Sequence, residues 1–319
     1  MTGKKVTFVI ATFNNVESAK ETLVNLAETM RQEDYDVILV DDSNNLDETQ
    51  FTEFKNLKIC HNPKRMGVGF SLNFGVHQAQ TDIVFFLGDD IRFSGDWFDR
   101  FYAVVRSHPT SLVSTVTAGL NNERKHITGK ENHYYGAHIL FHVTTKNNSK
   151  EQIPCRQYIE AKWQTKKSDD IYQLPCILGA FYGCHRDWFI KIRGFEGHRQ
   201  WGTLEPLCSL RSYISGGDCI IDCRTVTGHL FKSGTSNTEK PVRDIYYNKL
   251  LVASTLLPKD MEKTIYDWAA TSQRGRQAIE LAKSESVLFN QLADLGRNSL
   301  DDAELRRRIA LTGILDPCE

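Results

Sequence analysis

The sequence predicts an α/β fold: a mostly parallel sheet flanked by helices, with a C-terminal helical region. Two observations predict it. Over the first 120 residues, apolar runs of strand length alternate with segments of helical apolar spacing, the pattern of parallel strands joined by helical crossovers. Three of those runs also stop abruptly at polar clusters, as strands do where a parallel sheet offers its carboxyl ends to a ligand.

The elements follow in order. Val6 to Ala11 (VTFVIA) suits a buried strand, and Val16 to Met30 carries Val16, Ala19, Leu23, Leu26, Ala27 and Met30 at helical spacing. Tyr35 to Val40 is a second strand that ends at Asp41-Asp42-Ser43-Asn44, and Leu57 to Cys60 is a short third. Gly67 to Gln80 reads as a helix, and Ile83 to Leu87 as a fourth buried strand stopping at Gly88-Asp89-Asp90. The polar ends Thr12 to Asn15, Asp41 to Asn44 and Asp89-Asp90 therefore fall along one rim. From Asn121 to Gln173 the chain is polar and yields no assignment; the pattern tightens again from Leu178 to Phe231. Helices are predicted over Asp244 to Leu256, Met261 to Ala270, Arg276 to Ala293 and Asp301 to Leu311.

At 319 residues the chain can bury one large core, or one core with a smaller appendage. A formal net charge of −1 gives no global reason for a polyanionic partner. No apolar run approaches the roughly 20 residues of a membrane span. Eight cysteines include no CxxC pair, which argues against thiolate metal sites and for scattered buried thiols in a reducing, cytoplasmic setting.

Three stretches carry a resemblance. They are VIATFNN (Val9 to Asn15) with ILVDDSN (Ile38 to Asn44); Asn62 to Asp90, ending FFLGDD; and Leu178 to Lys232, ending Gly-His-x-Phe-Lys. In order and spacing they resemble the GT-A nucleotide-sugar glycosyltransferases, specifically family 2 and the related polypeptide N-acetylgalactosaminyltransferases. The resemblance implies a GT-A catalytic domain over residues 1–235, with 1–120 as the nucleotide-binding half and 121–235 as the acceptor half. A lid or linker and a helical region would then fill 236–319.

It also implies roles. Thr12 and one of Asp41 or Asp42 contact the base or ribose. Gly88 stands where the DxD motif has its first carboxylate, so Asp89 meets the ribose and Asp90 binds metal, Mn2+ or Mg2+. His229, in the Gly-His-x-Phe segment, is the second metal ligand. Trp201 and Arg211 keep the family's ten-residue separation and are assigned to the acceptor or sugar. Leu204 falls where the family has Glu, and Glu205 where inverting members carry their catalytic Asp. Glu205 is therefore the expected general base; the alternative is a surface Glu that opens a helix before Pro206. Arg65 is expected on the diphosphate, Gly67 and Gly69 resemble a phosphate-cradling loop, and Lys232 to Pro241 is a candidate lid. The expected donor is a UDP-sugar.

The acceptor is read from charge. Between Asn121 and Lys167 nine Lys/Arg stand against four Glu, interleaved with Tyr134, Tyr135, Phe141, Tyr158 and Trp163. Such a mixture suits a polyanionic, base-stacking acceptor, and the expectation is a hydroxymethylated base in DNA, as in bacteriophage DNA modification. The rival is a surface-polysaccharide or lipid-linked-sugar transferase docking on an anionic membrane. Glycosylation of protein ranks behind both. A catalytically inactive GT-A scaffold is the reading of another class, with Gly88 and Leu204 as its evidence.

Overall fold

The computed structural model describes residues 3–121, 132–143, 157–231 and 241–314. The candidate lid, apart from Pro241, and about half of the basic stretch, residues 122–131 and 144–156, lie outside them. In chain order the elements are β1 (Val6–Thr12), α1 (Val16–Thr29), β2 (Tyr35–Asp41), β3 (Leu57–His61), α2 (Val68–Gln78), β4 (Ile83–Leu87), β5 (Ile91–Arg92) and α3 (Phe98–Ser107). Then follow β6 (Ser111–Gly119), β7 (His133–Tyr134), β8 (Ala137–His142), β9 (Tyr158–Trp163), β10 (Ile171–Gln173), β11 (Phe181–His185), α4 (Arg186–Lys191), α5 (Leu204–Ile214) and β12 (Asp218–His229). The C-terminal helices are α6 (Val242–Leu256), α7 (Lys259–Ala270), α8 (Gln273–Ser284), α9 (Ser286–Leu295) and α10 (Asp302–Ala310).

The main sheet runs β10-β12-β6-β11-β4-β1-β2-β3. Strands β3, β2, β1 and β4 are parallel, β11 is inserted antiparallel beside β4, and β6 and β12 pair in parallel. Alternating residues of each strand serve two cores. Val9, Val40, Val84 and Phe86 face α2, α5 and the C-terminal helices, while Phe8, Ile10, Leu39 and Phe85 face α1 and α3. A sheet covered on both faces explains why these strands read as continuous apolar runs.

Two parts depart from the sequence expectation. The unassigned middle contributes strands, including the antiparallel hairpin partners β8 and β9. The single helix expected over Arg276 to Ala293 is two, α8 and α9, divided at Glu285. There the Glu285 carboxylate is engaged by Arg199 and by the Tyr247 hydroxyl, so tertiary contacts override helix propensity. The C-terminal helices are no appendage: Tyr247, Leu250, Leu251, Ile265 and Leu305 belong to the same core as Val9 and Phe86.

Candidate active site

The ends of β1, β2 and β4 lie side by side, which brings the polar clusters onto one rim. Thr12 Oγ1 donates to Asp89 Oδ2 at 2.8 Å, both residues buried. Helix α1 fastens the turn that carries the acidic pair. Thr22 Oγ1 donates to the Asp89 carbonyl at 2.9 Å and accepts from Ile91 N at 3.2 Å. Asn25 makes the same two-way contact with the Phe93 backbone.

The two residues at the end of β2 divide their work. Asp41 is fully buried and accepts from the backbone N–H groups of Ser43, Asn45 and Leu46 at 2.8–3.0 Å, with His61 Nδ1 at 3.2 Å. Burial would raise its pKa, but the hydrogen bond from the Ser43 hydroxyl, together with those of the Leu46 and Ser43 N–H groups and His61, outweighs burial and lowers it. Asp41 organises the loop. Asp42 accepts from Asn62 Nδ2 and from Met66 N and Gly67 N at 2.6–2.9 Å. It also lines a cavity of about 130 Å³ with Thr12, Phe13, Arg65, Val68, Gln200 and Trp201. Of the pair, Asp42 is the one at the cavity wall. The exposed Arg65 guanidinium lies over the Phe13 ring at 4.2 Å, a cation–π contact that orients it at the mouth. Gly67 has φ +94°, and a Cβ there would meet the Gln200 backbone at 2.4 Å, so this glycine permits a close chain approach.

Asp90 and His229, far apart in sequence, meet because their strands do. After the Asp89-Asp90 turn the chain pairs as β5 with the end of β12, setting Ile91 opposite His229, and Leu230 N donates to the Asp90 carbonyl at 3.2 Å. A bulge between Asp222 and Val226 resets β12 against β6 before it reaches this point. His229 Nε2 and Asp90 Oδ1 stand 3.4 Å apart, with Asp90 nearly buried. The donor set suits a hard or borderline divalent cation, and two cis ligands at about 2.1 Å from one ion stand about 3 Å apart. The two residues therefore fit a shared metal. Among the described residues no group of three or more His, Cys, Asp or Glu forms a metal cluster. Gly88 belongs to the same pocket of space, since a Cβ there would lie 2.7 Å from Asp90 Oδ1.

Glu205 lies in the first turn of α5, where a negative charge complements the helix N-terminus. A Cβ at Gly179 would meet its Oε1 at 2.5 Å, so Gly179 makes room for the carboxylate. Glu205 lines a cavity of about 300 Å³ with Ile159, Glu160, Trp163, Trp201 and Ile245. The half-exposed Trp201 is common to this cavity and to the smaller one. Gln200, Gly202 and Thr203 have φ of 45°, 92° and 67°, a left-handed run that swings Trp201 between the two. His198 and Asn248 brace it: His198 Nε2 lies 2.7 Å from the Gly202 carbonyl, and Asn248 Nδ2 reaches the Arg199 and Trp201 carbonyls at 2.8 and 3.2 Å. Burial pushes the His198 pKa down to about 4, so its neutral ring donates to Gly202.

Arg211 corrects the sequence expectation. It is buried and donates to the carbonyls of Arg193, Gly194 and Glu196 at 2.8–3.0 Å. Burial lowers its pKa to about 10, still protonated at neutral pH. Its donors are committed to the turn before Trp201, so it frames the site and does not meet the acceptor. Six of the nine basic residues behind the DNA expectation (Arg124, Lys125, Lys130, Lys146, Lys150, Arg156) lie outside the described residues. The larger cavity's described lining holds two glutamates and no Lys or Arg. Sequence reasoning missed Gly179, Glu160, Asn248 and Lys249; the signal for the last two was an Asn-Lys pair inside an otherwise apolar helical segment.

A parallel-stranded sheet with an acidic turn at one strand end and a histidine brought beside it defines the class: the GT-A glycosyltransferase fold. The chain belongs to glycosyl transferase family 2, whose profile matches residues 7–171. It is 22% identical to Drosophila melanogaster polypeptide N-acetylgalactosaminyltransferase 8 over 260 residues, 77% of this chain and 41% of that protein; it thus spans about two fifths of that relative's length. In fold it is similar to GalNAc-T7, solved with UDP, GalNAc and Mn2+ (TM-score 0.68, 15% identity, covering 92% of this chain and 55% of that one). It is also similar to Staphylococcus aureus TarS residues 1–349 with UDP-GlcNAc (TM-score 0.54, 16% identity, covering 83% and 70%). No helix among the described residues is long and apolar enough to cross a membrane.

Proposed function

We propose that the chain transfers a sugar from a UDP-sugar to an acceptor hydroxyl with the help of a divalent cation. The carrying observation is the 3.4 Å approach of His229 to Asp90 beside the Thr12–Asp89 pair. Asp90 and His229 would hold Mn2+ or Mg2+, which supplies Lewis-acid neutralisation of a departing diphosphate. Thr12, Asp42 and Asp89 form the nucleotide wall, and Arg65 pairs with the diphosphate. UDP and an N-acetylhexosamine in the GalNAc-T7 structure, and UDP-GlcNAc in TarS, support the choice of donor.

Glu205 is the general base. It takes the proton of the acceptor hydroxyl as that oxygen bonds to the anomeric carbon from the cavity side. The bond from that carbon to the diphosphate breaks, its electron pair leaving with UDP, and configuration inverts. Trp201, shared by both cavities, would shield the reacting centre from water.

The test is release of UDP from a panel of UDP-sugars with manganese. The wild type should hydrolyse at least one slowly, and Asp90→Ala should not. No release from any donor, with or without manganese, would favour the inactive scaffold. A hydroxymethylated DNA acceptor is the second reading, since two tryptophans, Trp163 and Trp201, line the larger cavity that a base extruded from the duplex would enter. Duplex binding with a steep salt dependence would support it.

A further inference from the structure

The imidazole of His229 is held by rings as well as by its strand. Phe231 follows it by two residues, and the two rings meet edge to face, with centroids 4.4 Å apart and planes at 85°. Phe231 in turn packs against Trp163 at 5.4 Å and against Tyr134 at 5.8 Å, and those two meet each other at 4.8 Å. One cluster of four rings therefore starts at the histidine paired with Asp90 and ends at Trp163, which lines the larger cavity.

The cluster gathers residues from three separate stretches of chain, and the backbone sets each in place. Strand β6 pairs with β12 along one edge, where Gly119 lies opposite His229, and with β7 along the other, where Thr117 lies opposite Tyr134. The turn after β7 clasps the end of β9. Tyr135 N donates to the Gln164 carbonyl at 2.7 Å, and Gln164 N donates to the Gly136 carbonyl at 2.8 Å. The Tyr172 hydroxyl adds a bond to the Tyr135 carbonyl at 3.0 Å. Gly136 has φ +95°, and a Cβ there would strike the Leu174 side chain at 2.3 Å, so this turn is seated closely on its neighbours. Trp163 and Tyr134 thus form a fixed backing for Phe231.

A metal-binding imidazole needs such backing. Pairing of β12 fixes the His229 backbone but leaves the two side-chain torsions to be set by whatever surrounds the ring. A misorientation of about 10–20° is enough to spoil a ligand's approach to an ion. An edge-to-face contact has a preferred angle, so it restrains rotation where an aliphatic side chain would only fill space.

We propose that Trp163 is a positioning residue: through Phe231 it holds the His229 imidazole in the orientation that meets a cation together with Asp90. One wall of the larger cavity therefore also sets metal affinity. The inference rests on the metal-assisted transferase reading above.

The test is calorimetric titration of the full chain with Mn2+ at a fixed UDP concentration, beside titration with UDP alone. Trp163→Leu keeps apolar bulk and removes the ring. It should weaken Mn2+ binding about fivefold, the size of one or two lost aromatic contacts, while metal-free UDP affinity stays within about twofold. Trp163→Phe keeps a ring and should recover most of the loss, a distinction that a merely space-filling role would not make. Phe231 is 37% exposed, so Phe231→Leu remains informative if Trp163→Leu does not fold, and it should weaken Mn2+ to a similar degree. Unchanged Mn2+ affinity in both leucine variants, or equal losses in Trp163→Leu and Trp163→Phe, would overturn the inference. A wild type that binds no Mn2+ beside UDP would instead sink the metal reading beneath it.

Discussion

The two cavities on either side of Trp201 are built on opposite principles. On the nucleotide side, Asp41, Asp42 and Asp89 are nearly buried, and each already accepts hydrogen bonds from nearby loops or a neighbouring strand end. On the acceptor side, Glu160, Glu205, Trp163 and Trp201 border a cavity more than twice as large, and their supports come from α5, α6, α7 and β9. The first is a rigid frame drawn from one stretch of sheet. The second is an open basin whose walls are held from a distance. Under the proposed function, pre-organisation of this kind would let a donor bind without rearrangement, whereas acceptor recognition would depend on β9 and on helices that follow the matched family region, residues 7–171.

That contrast can be broken by substitution. The largest effect should come from Glu205→Gln, which removes the base and keeps the shape. Transfer should fall on the order of a hundred- to ten-thousandfold with UDP affinity little changed, read by initial rates and by titration. A parallel loss of UDP affinity would show that the two cavities are not separable. Next is Arg211→Met, which strips three buried carbonyls of their donor. Stability should drop by about 3 kcal/mol in a urea melt, and residual activity per folded molecule should keep its acceptor preference. A shifted preference at unchanged stability would return Arg211 to the acceptor.

Gly179→Ala is subtler. Its Cβ would press on Glu205 Oε1, so transfer should slow roughly tenfold, as small misplacements of reacting groups do, and donor binding should not respond. The smallest effect concerns His61. Glu48, first, and Asp41 raise its pKa above 6.5. A raised histidine adds stability fully present below its unfolded pKa and lost as pH rises through the folded value. Melting temperature should therefore decline modestly from about pH 6.5 upward, and His61→Gln should flatten that slope. A decline of equal size in the variant would assign it to other groups.

The nucleotide side was legible in the sequence for a physical reason. Its residues sit at strand ends, and buried parallel strands announce themselves as apolar runs that stop at Thr12, Asp41 and Gly88. The ten-residue spacing from Trp201 to Arg211 pointed to Glu205 as the base; the structure sets it in the first turn of α5, as the alternative of a Glu opening a helix before Pro206 also had it. The role given to Arg211 did not survive, because spacing says which residue occupies a helix position and not which way its guanidinium turns. The β8–β9 pair was invisible for another reason. Its burial pattern is made by α5, α6 and α7, a tertiary environment that no local periodicity encodes. Lys249 is the same lesson: a lysine in a helix reads as solvent-facing until its contacts with the Tyr158 and Ile159 carbonyls and with Glu160 are seen.

The central claim is that Asp90 and His229 converge on one cation beside the nucleotide. The direct measurement is Mn2+ binding, read from the loss of the free-ion electron paramagnetic resonance signal, with and without UDP. Wild-type protein should bind the ion more tightly when UDP is present. Asp90→Ala and His229→Ala should each weaken that binding by at least about tenfold, since even outer-shell partners of a metal site contribute that much. Equal Mn2+ affinity in the wild type and both variants would contradict the account.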